Sequence, residues 1–442
     1  MSDYLSLMMF PLLMGFIFSG FPIAFSMIIV AVFFGVIQFG DAAAYQLLTK
    51  IEDTASNSVL AAVPLFIFMG AMLEKSGIAD RLFDAVHLWT ERLPGGLGVG
   101  AVLMGALFAA SSGVVGATEA VIGMLAVPAM LKHHYSKSLL SGTICASGSL
   151  GTAIPPSITI IVLGPVAGVS VGSLFSGLLI PGLLMAFLFL LYIIGVSYIK
   201  PEVAPRLKES RESFDFGDKL RITLVALIPT LGLIFVVLGT ILMGIATPTE
   251  AAACGALGAV VLAMAYRNLS INILWNAAVQ TMSISAMILM IVMGGSMFAG
   301  VFFASGGMAT VQALLVDNGL SPFAIIGSIL IIAFIAGFVL DLISVVLIVI
   351  PVAMPIVRTL GFDEIWFSVA FLIVLQTSYL TPPLAPSIFY LRAITPPEIT
   401  LNHMYKGVVP FILVQLVILA LVLYFPSLSL WLPDAMSGPS WK

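Results

Sequence analysis

The chain has 442 residues, of which 61% are hydrophobic and 9% charged, with a formal net charge of −4. Soluble domains carry about 25% charged residues, so no soluble fold of this length fits. No basic cluster offers a nucleic-acid surface, so nucleic acid is excluded as a partner. Apolar runs of roughly 17–25 residues, long enough to cross a bilayer, recur from end to end. A coarse count gives roughly 10 to 12 crossings plus shorter pieces that enter without crossing.

In chain order, the first apolar run, residues 5–39, is too long for one straight helix, and "SGFP" (19–22) is expected to kink or divide it. The N-terminus does not read as a cleaved signal peptide: its first charge is Asp3, and no small-residue cleavage site follows a short apolar core. Residues 74–93 alternate charged and apolar residues at helical spacing, with Leu82, Phe83, Val86, Leu88 and Trp89 among the apolar ones. That pattern predicts an amphipathic helix on the membrane surface or against a partner.

The next stretch, 113–157, is an apolar arm, Pro128, a short basic turn "KHHYSK" (132–137), more apolar residues, and "GTAIPPS" (151–157). A polar linker with two prolines follows at 200–221. In "TPTEAA" (247–252), Thr247 is the expected N-cap, Pro248 the first helical residue and Glu250 a carboxylate at the helix N-terminus. From Gly337 the pattern of 113–157 returns: an apolar arm, Pro351, a charged turn "RTLGFDE" (358–364), more apolar residues, and "YLTPPLAPS" (379–387). The tail, 425–442, with Trp431, Pro433 and Trp441, resembles an interfacial aromatic end.

Paired Gly/Pro-interrupted apolar segments at matching places in two halves mark a secondary transporter. Each pair of prolines removes two consecutive backbone donors, so a continuous helix cannot run through it. Backbone freed at membrane depth is tolerated only where it is buried in protein or lines a cavity. The breaks therefore point at the transport site. Lys and Arg favour the cytoplasmic side in short loops, and the loop 132–137 is the strongest such signal. If the halves are inverted, the loop 358–364 lies on the other side.

Several residues could carry chemistry. "SSGVVGAT" (111–118) places hydroxyls and glycines in an apolar segment, either for an oxygen cage or for close helix packing. Glu119 follows the first interruption, and Asp341 sits at nearly the same place in the second. A charge at the membrane centre costs on the order of 2.5–3.5 kcal/mol on insertion scales. Each carboxylate is thus a cation or proton site, or a helix-end or salt-bridged group. Arg392 could meet a substrate carboxylate or snorkel to headgroups. His133 and His134 read as solvated, and the methionines as packing or lipid-facing residues. Cys145 and Cys254 lie in apolar segments, where neither a disulfide nor a metal site is expected. Enzyme signatures are missing, as is the Gly-rich Lys-Ser/Thr loop for ATP, so an ion gradient must supply any driving force.

These motifs carry a family resemblance that covers essentially the whole chain. "PLFIFMGAMLEKSGIADRLF" (64–83), "LPGGLGVGAVLMGALFAASSG" (93–113), "GSLGTAIPPSI" (148–158), "GIATPTEAAA" (244–253), "GFDEIWFSV" (361–369) and "LTPPLAPSIF" (380–389) occur in order. The chain resembles the large membrane subunit (M, or DctM-type) of tripartite ATP-independent periplasmic (TRAP) transporters. The resemblance implies an all-α integral membrane fold of elevator type, with two inverted repeats, re-entrant helical hairpins and discontinuous helices. The expected partition is scaffold helices at 1–60, the first repeat at 61–199, a linker at 200–221, further scaffold at 222–280, the second repeat at 281–400, and a C-terminal helix and tail at 401–442.

It implies further that uptake of an organic acid is coupled to sodium ions in a bacterial inner membrane. The implied partners are a small Q-type membrane subunit, a P-type periplasmic binding protein and membrane lipids. The first sodium site would involve Ser112, Gly151, Ile154 and Pro156, and the second Gly337, Ser378, Thr381 and Leu384. Gly113, Val115, Glu119, Ser157, Asp341 and Pro383 are the candidates for the substrate cavity. The sequence departs from the family pattern at Val114-Val115, where relatives have hydroxyls, at Ser378, at Leu384-Ala385 for "VG", and at Glu119 for a small residue. These changes weaken a sialic-acid or C4-dicarboxylate specificity and look closer to relatives of the mannitol/chloroaromatic or α-keto acid type, so an α-keto or other carboxylic acid is the expected substrate. A stand-alone sodium- or proton-coupled carrier, working without a binding protein, is the alternative.

Overall fold

A computed structural model describes residues 5–113, 115–205, 216–315 and 319–437, apart from the side chains of Ser112, Val115, Ala117, Leu315 and Ser437. The described residues form helices and connecting turns. The long N-terminal run is divided as expected: α1 (Met9–Phe18) ends before Gly20, and α2 (Ile23–Phe39) starts after Pro22. Then come α3 (Ala42–Ala55), α4 (Ala62–Lys75) and the predicted amphipathic helix, α5 (Ile78–Thr90).

The first repeat holds a hairpin, α6 (Gly96–Ser112) and α7 (Val115–Lys132), and a broken helix, α8 (Lys137–Ala153) and α9 (Ile158–Ala167). It is closed by α10 (Val171–Ile199). The linker residues 206–215 lie outside the described residues. Next are α11 (Phe216–Leu242), α12 (Pro248–Ala265), α13 (Ile271–Ala304) and α14 (Gly307–Leu315). α12 opens with the expected capping box of Thr247 and Glu250. α13 runs unbroken through residue 280, where sequence reading put a boundary.

The second repeat copies the first: hairpin α15 (Pro322–Ala336) and α16 (Leu342–Thr359), broken helix α17 (Glu364–Leu380) and α18 (Pro386–Ile394), then α19 (Leu401–Tyr424). A short α20 (Ser427–Ser437) ends the described chain; Trp441 lies beyond it. Among the described residues, eight helical segments are long and apolar enough to cross a membrane, fewer than the roughly 10 to 12 expected. The difference comes from α1, α2, the first hairpin arms α6 and α15, and α17, which are apolar but only 10–17 residues long.

The broken helices lie at the centre. Every residue of α8 from Leu139 to Ala153, and of α17 from Trp366 to Leu380, is buried. Large apolar side chains point outward on α11 instead, with Phe235 and Ile228 among those exposed, as suits lipid or a membrane partner. The central helices touch where Gln376 Nε2 donates to Ser149 Oγ at 3.2 Å. These two residues are 227 positions apart. The same offset carries Lys137 to Glu364, Pro128 to Pro355, and Pro155 to Pro382. Equivalent residues of two copies meet only at a symmetry axis, so the pseudo-twofold passes beside this pair.

The repeats are inverted. Arg358 Nη2, just before α17, donates to Ala167 O, the end of α9, at 2.9 Å. Lys137 Nζ, at the start of α8, stands 3.8 Å from Glu398 Oε2, just past α18. Each broken helix therefore begins beside the end of the other, and α8 and α17 run in opposite directions. The hairpins cross over as well: α7 packs on α18, and α16 on α9.

Close approach of backbones fixes α8 against α19. A methyl group on Gly142 would stand 2.0 Å from Gly407 O, and one on Gly407 2.1 Å from Ser138 O. Backbone atoms cannot give way as side chains can, so overpacking here is costly. Gly142→Ala is expected to destabilise the protein by about 2 kcal/mol or more. Thermal melting of the purified protein in detergent measures this, with Gly195→Ala, where a methyl would meet nothing within 4 Å, as the control.

Candidate functional site

Each Pro-Pro pair ends a helix before its hydrogen bonds are complete. In α8 the Ile154 N–H still reaches Leu150 O at 2.9 Å. Pro155 and Pro156 then have no N–H to give, which leaves Gly151 O and Thr152 O without the donor four residues ahead. In α17, Pro382 and Pro383 withhold donors from Ser378 and Tyr379. The Thr381 N–H takes Ser378 O at 3.0 Å, and Thr381 Oγ1 donates to Thr377 O at 2.6 Å. Both Pro-Pro bonds are cis.

A hairpin tip seats on each break. Gly113 ends α6 with φ +60, in the left-handed region that favours glycine. A methyl there would stand 2.9 Å from Pro156 O and 3.1 Å from Ile158 N. In the second repeat a methyl on Gly337 would stand 2.0 Å from Ser378 Oγ, which donates to Leu375 O. The structure thus brings Gly113 to Pro156 and Ser157, and Gly337 to Ser378. The two glycines are not equivalent, since the offset carries Gly113 to Leu340. α15 stops earlier, and residues 337–340 turn more broadly before α16.

The remaining candidates fall into place around these tips. Ser112 closes α6 and Val115 opens α7; their side chains, and Val114, lie outside the described residues. Ile154 is the extended residue that ends α8. Ser157 is buried, and its hydroxyl has no hydrogen-bond partner among the described residues. Leu384 is partly exposed, and Pro383 O accepts from the Tyr405 hydroxyl at 3.2 Å. Arg392 donates to Ile399 O at 2.7 Å, which ties down the chain after α18. Cys145 and Cys254 are free thiols.

The two carboxylates part company. Asp341 caps α16: Oδ2 accepts from Ile343 N at 3.1 Å and Ser344 N at 3.3 Å, and Oδ1 from the Ser344 hydroxyl. Both oxygens are used in capping the helix. Asp341 is also not the counterpart of Glu119, which the offset carries to Val346. Glu119 is fully buried in α7; Oε1 accepts from Ser387 Oγ of α18 at 2.5 Å, and Oε2 has no partner among the described residues. Its room comes from Gly148 of α8, where a methyl would stand 1.8 Å from Glu119 Cγ.

Sequence reading missed the roles of Gly148, Ser387 and the Ser149–Gln376 pair. Ser387 and Gly148 stand inside motifs that were legible, "LTPPLAPSIF" and "GSLGTAIPPSI". Their partner across the repeats was not. Ala385, where the resemblance implies glycine, has φ +41, and there the missing glycine leaves strain.

Among the described residues no three His, Cys, Asp or Glu side chains cluster as for a transition metal. Any ion held at the breaks would meet neutral oxygens. Two re-entrant hairpins seated on two broken helices, crossed antiparallel about a pseudo-twofold axis, define an inverted-repeat helical membrane protein of the secondary-transporter kind. The family model for the tripartite ATP-independent periplasmic transporter, DctM component, matches residues 10–428. The chain is 32% identical over 453 aligned positions, 98% of this chain and 99% of the other, to the C4-dicarboxylate TRAP transporter large permease protein DctM of Rhodobacter capsulatus. It is 30% identical over 386 positions, 87% of this chain and 88% of the other, to the protein of the same name from Pseudomonas aeruginosa. The fold matches the crystal structure of the Alcanivorax borkumensis YdaH transporter, described as having an unusual topology, with a TM-score of 0.64, 14% identity and 89% of each chain covered. The chain belongs to the DctM family of TRAP transporter large permeases, and it is no enzyme.

Two substitutions separate strain from crowding. Ala385→Gly is expected to raise stability by about 0.5–1 kcal/mol, because the left-handed region costs glycine nothing. Gly148→Ala is expected to lower it by more than 1 kcal/mol, and pairing it with Glu119→Ala to restore part of the loss. Melting temperatures of the purified variants read both effects.

Proposed function

We propose that this permease carries an organic acid inward with sodium ions, by an elevator movement of the two hairpins and broken helices against the outer helices. The observation that supports this most is the seating of each hairpin tip on its own Pro-Pro break. There Gly113 and Gly337 leave no room for a side chain, and carbonyls lack helical donors. Sodium, when bound, supplies positive charge that a substrate carboxylate can lean on. Gly151, Ile154 and Pro156 with Ser112 would hold one ion, and Ser378, Thr381 and Leu384 with Gly337 the other. Gly113, Val115, Ser157 and Pro383 would border the substrate, with Glu119 behind the first tip.

The word tripartite in the matching family's description favours a three-part system over a stand-alone carrier. A P-type periplasmic binding protein would deliver the substrate, an α-keto or other carboxylic acid. A Q-type small subunit would cover part of the exposed apolar surface, for which α11 is one candidate face. The setting would be a bacterial inner membrane.

Uptake into proteoliposomes containing this chain and the small subunit, with the binding protein outside, tests the proposal. Uptake is expected to need a sodium gradient and to stop when potassium replaces sodium. Ser112→Ala or Thr381→Ala should raise half-saturating sodium by roughly fivefold, the effect of losing about 1 kcal/mol. Unchanged sodium affinity in both variants overturns the assignment of the sites. Uptake without a binding protein overturns the three-part reading.

A further inference from the structure

Three cavities differ in their charge. The one between α3 and α13 holds Lys50 against Asp53 at 3.2 Å, and the one between α5 and α11 sets Arg81 and Arg221 against Asp84 and Asp218. The third, of about 340 Å³, lies where the start of α8 meets the end of α10 and the first turns of α19. Its polar lining includes Lys200, Lys406, Ser138 and Tyr192, and no carboxylate. Among the described residues neither lysine is in an ion pair, and neither of those two hydroxyls is hydrogen-bonded. The nearby Glu398 faces Lys137 instead. Ser136, also in the lining, is occupied in capping α8. The cavity thus presents donors of one sign with nothing to receive them.

Its place in the membrane decides what could. Helix direction puts Lys75, Arg92, Lys132, Lys200, Arg267 and Lys406 on one face of the protein. Asn268 Nδ2 bonded to Ser76 O at 2.8 Å and Lys219 bonded to Glu91 at 2.9 Å tie that face together. Lys50 and Arg358 lie on the opposite face. Such an imbalance places the lysine-rich face in the cytoplasm. The back wall of the cavity is apolar, with Leu139, Val196 and Val203, and Ile199 beside it is 78% exposed. A group that fits is anionic at one end and greasy at the other.

We propose that this pocket binds the phosphodiester headgroup of an anionic phospholipid from the cytoplasmic leaflet. Lys200 and Lys406 meet the phosphate, the Ser138 and Tyr192 hydroxyls donate to its oxygens, and the glycerol end lies along the apolar wall. Basic pockets between transmembrane helices on this side have the chemistry for such headgroups. The lipid would bridge α8, the centre of the first repeat, to α10 and α19.

Native mass spectrometry of the full chain in detergent tests this, with phosphatidylglycerol against phosphatidylcholine of the same acyl chains. The wild type is expected to retain the anionic lipid at least tenfold better. Replacing both lysines (Lys200→Ala with Lys406→Ala) should bring the two lipids to near parity, at roughly fivefold per lysine. The double Lys→Arg variant should keep the preference. Ser138→Asp, whose new carboxylate suits the first turn of a helix and so preserves folding, should also abolish it. Equal retention of the two lipids by the wild type, or a preference that survives both the double Ala variant and Ser138→Asp, overturns the proposal. So does displacement of the lipid by millimolar inorganic phosphate, which would make the pocket a site for free phosphate. The readout needs no transport, so its failure leaves the uptake reading untouched.

Discussion

Everything at the centre of this protein follows from two places where the backbone loses its donors. In a bilayer an unpaired carbonyl has no water to turn to. Pro155-Pro156 and Pro382-Pro383 each strand carbonyls of the helix before them, so the rest of the chain must enclose those groups. The hairpins do so. Their tips carry glycine because backbone, not side chain, has to reach the break. The surrounding helices then bury α8 and α17 almost completely, and the outer helices keep their apolar faces for lipid and partners.

The inversion of the repeats gives this enclosure its economy. Each break is covered by its own hairpin tip, while each outward hairpin arm lies on the short helix beyond the other break. The axis between the copies is marked by Ser149 and Gln376, unlike residues at equivalent positions. Identical side chains are not needed there. A donor in one copy and an acceptor in the other suffice, and the gene is free to differ elsewhere.

How much of this was legible depended on how local the physics is. Proline chemistry acts on its own helix, so both breaks, the division at 19–22, the amphipathic α5 and the Thr247–Glu250 cap could be read directly. Contacts across repeats could not. Glu119 looked like a partner of Asp341, because both follow a tip glycine. The tips differ in length, so the likeness was one of spacing alone, and Asp341 proved to be a cap. Gly148 reads in sequence as one more small residue of a packed helix. Only the position of α7 shows that its missing side chain is the space that Glu119 fills.

That arrangement has a consequence for how the chain can change over time. Glu119, Gly148 and Ser387 come from α7, α8 and α18, yet they occupy one volume. A larger residue at position 148 is admissible only after the carboxylate has gone, and the carboxylate can arrive only where 148 is already glycine. The order of mutational steps is therefore constrained, and a family member with alanine or serine at this place in α8 must have a shorter residue at the place of Glu119. The three positions form a single inherited character, and relatives should sort by it as a unit.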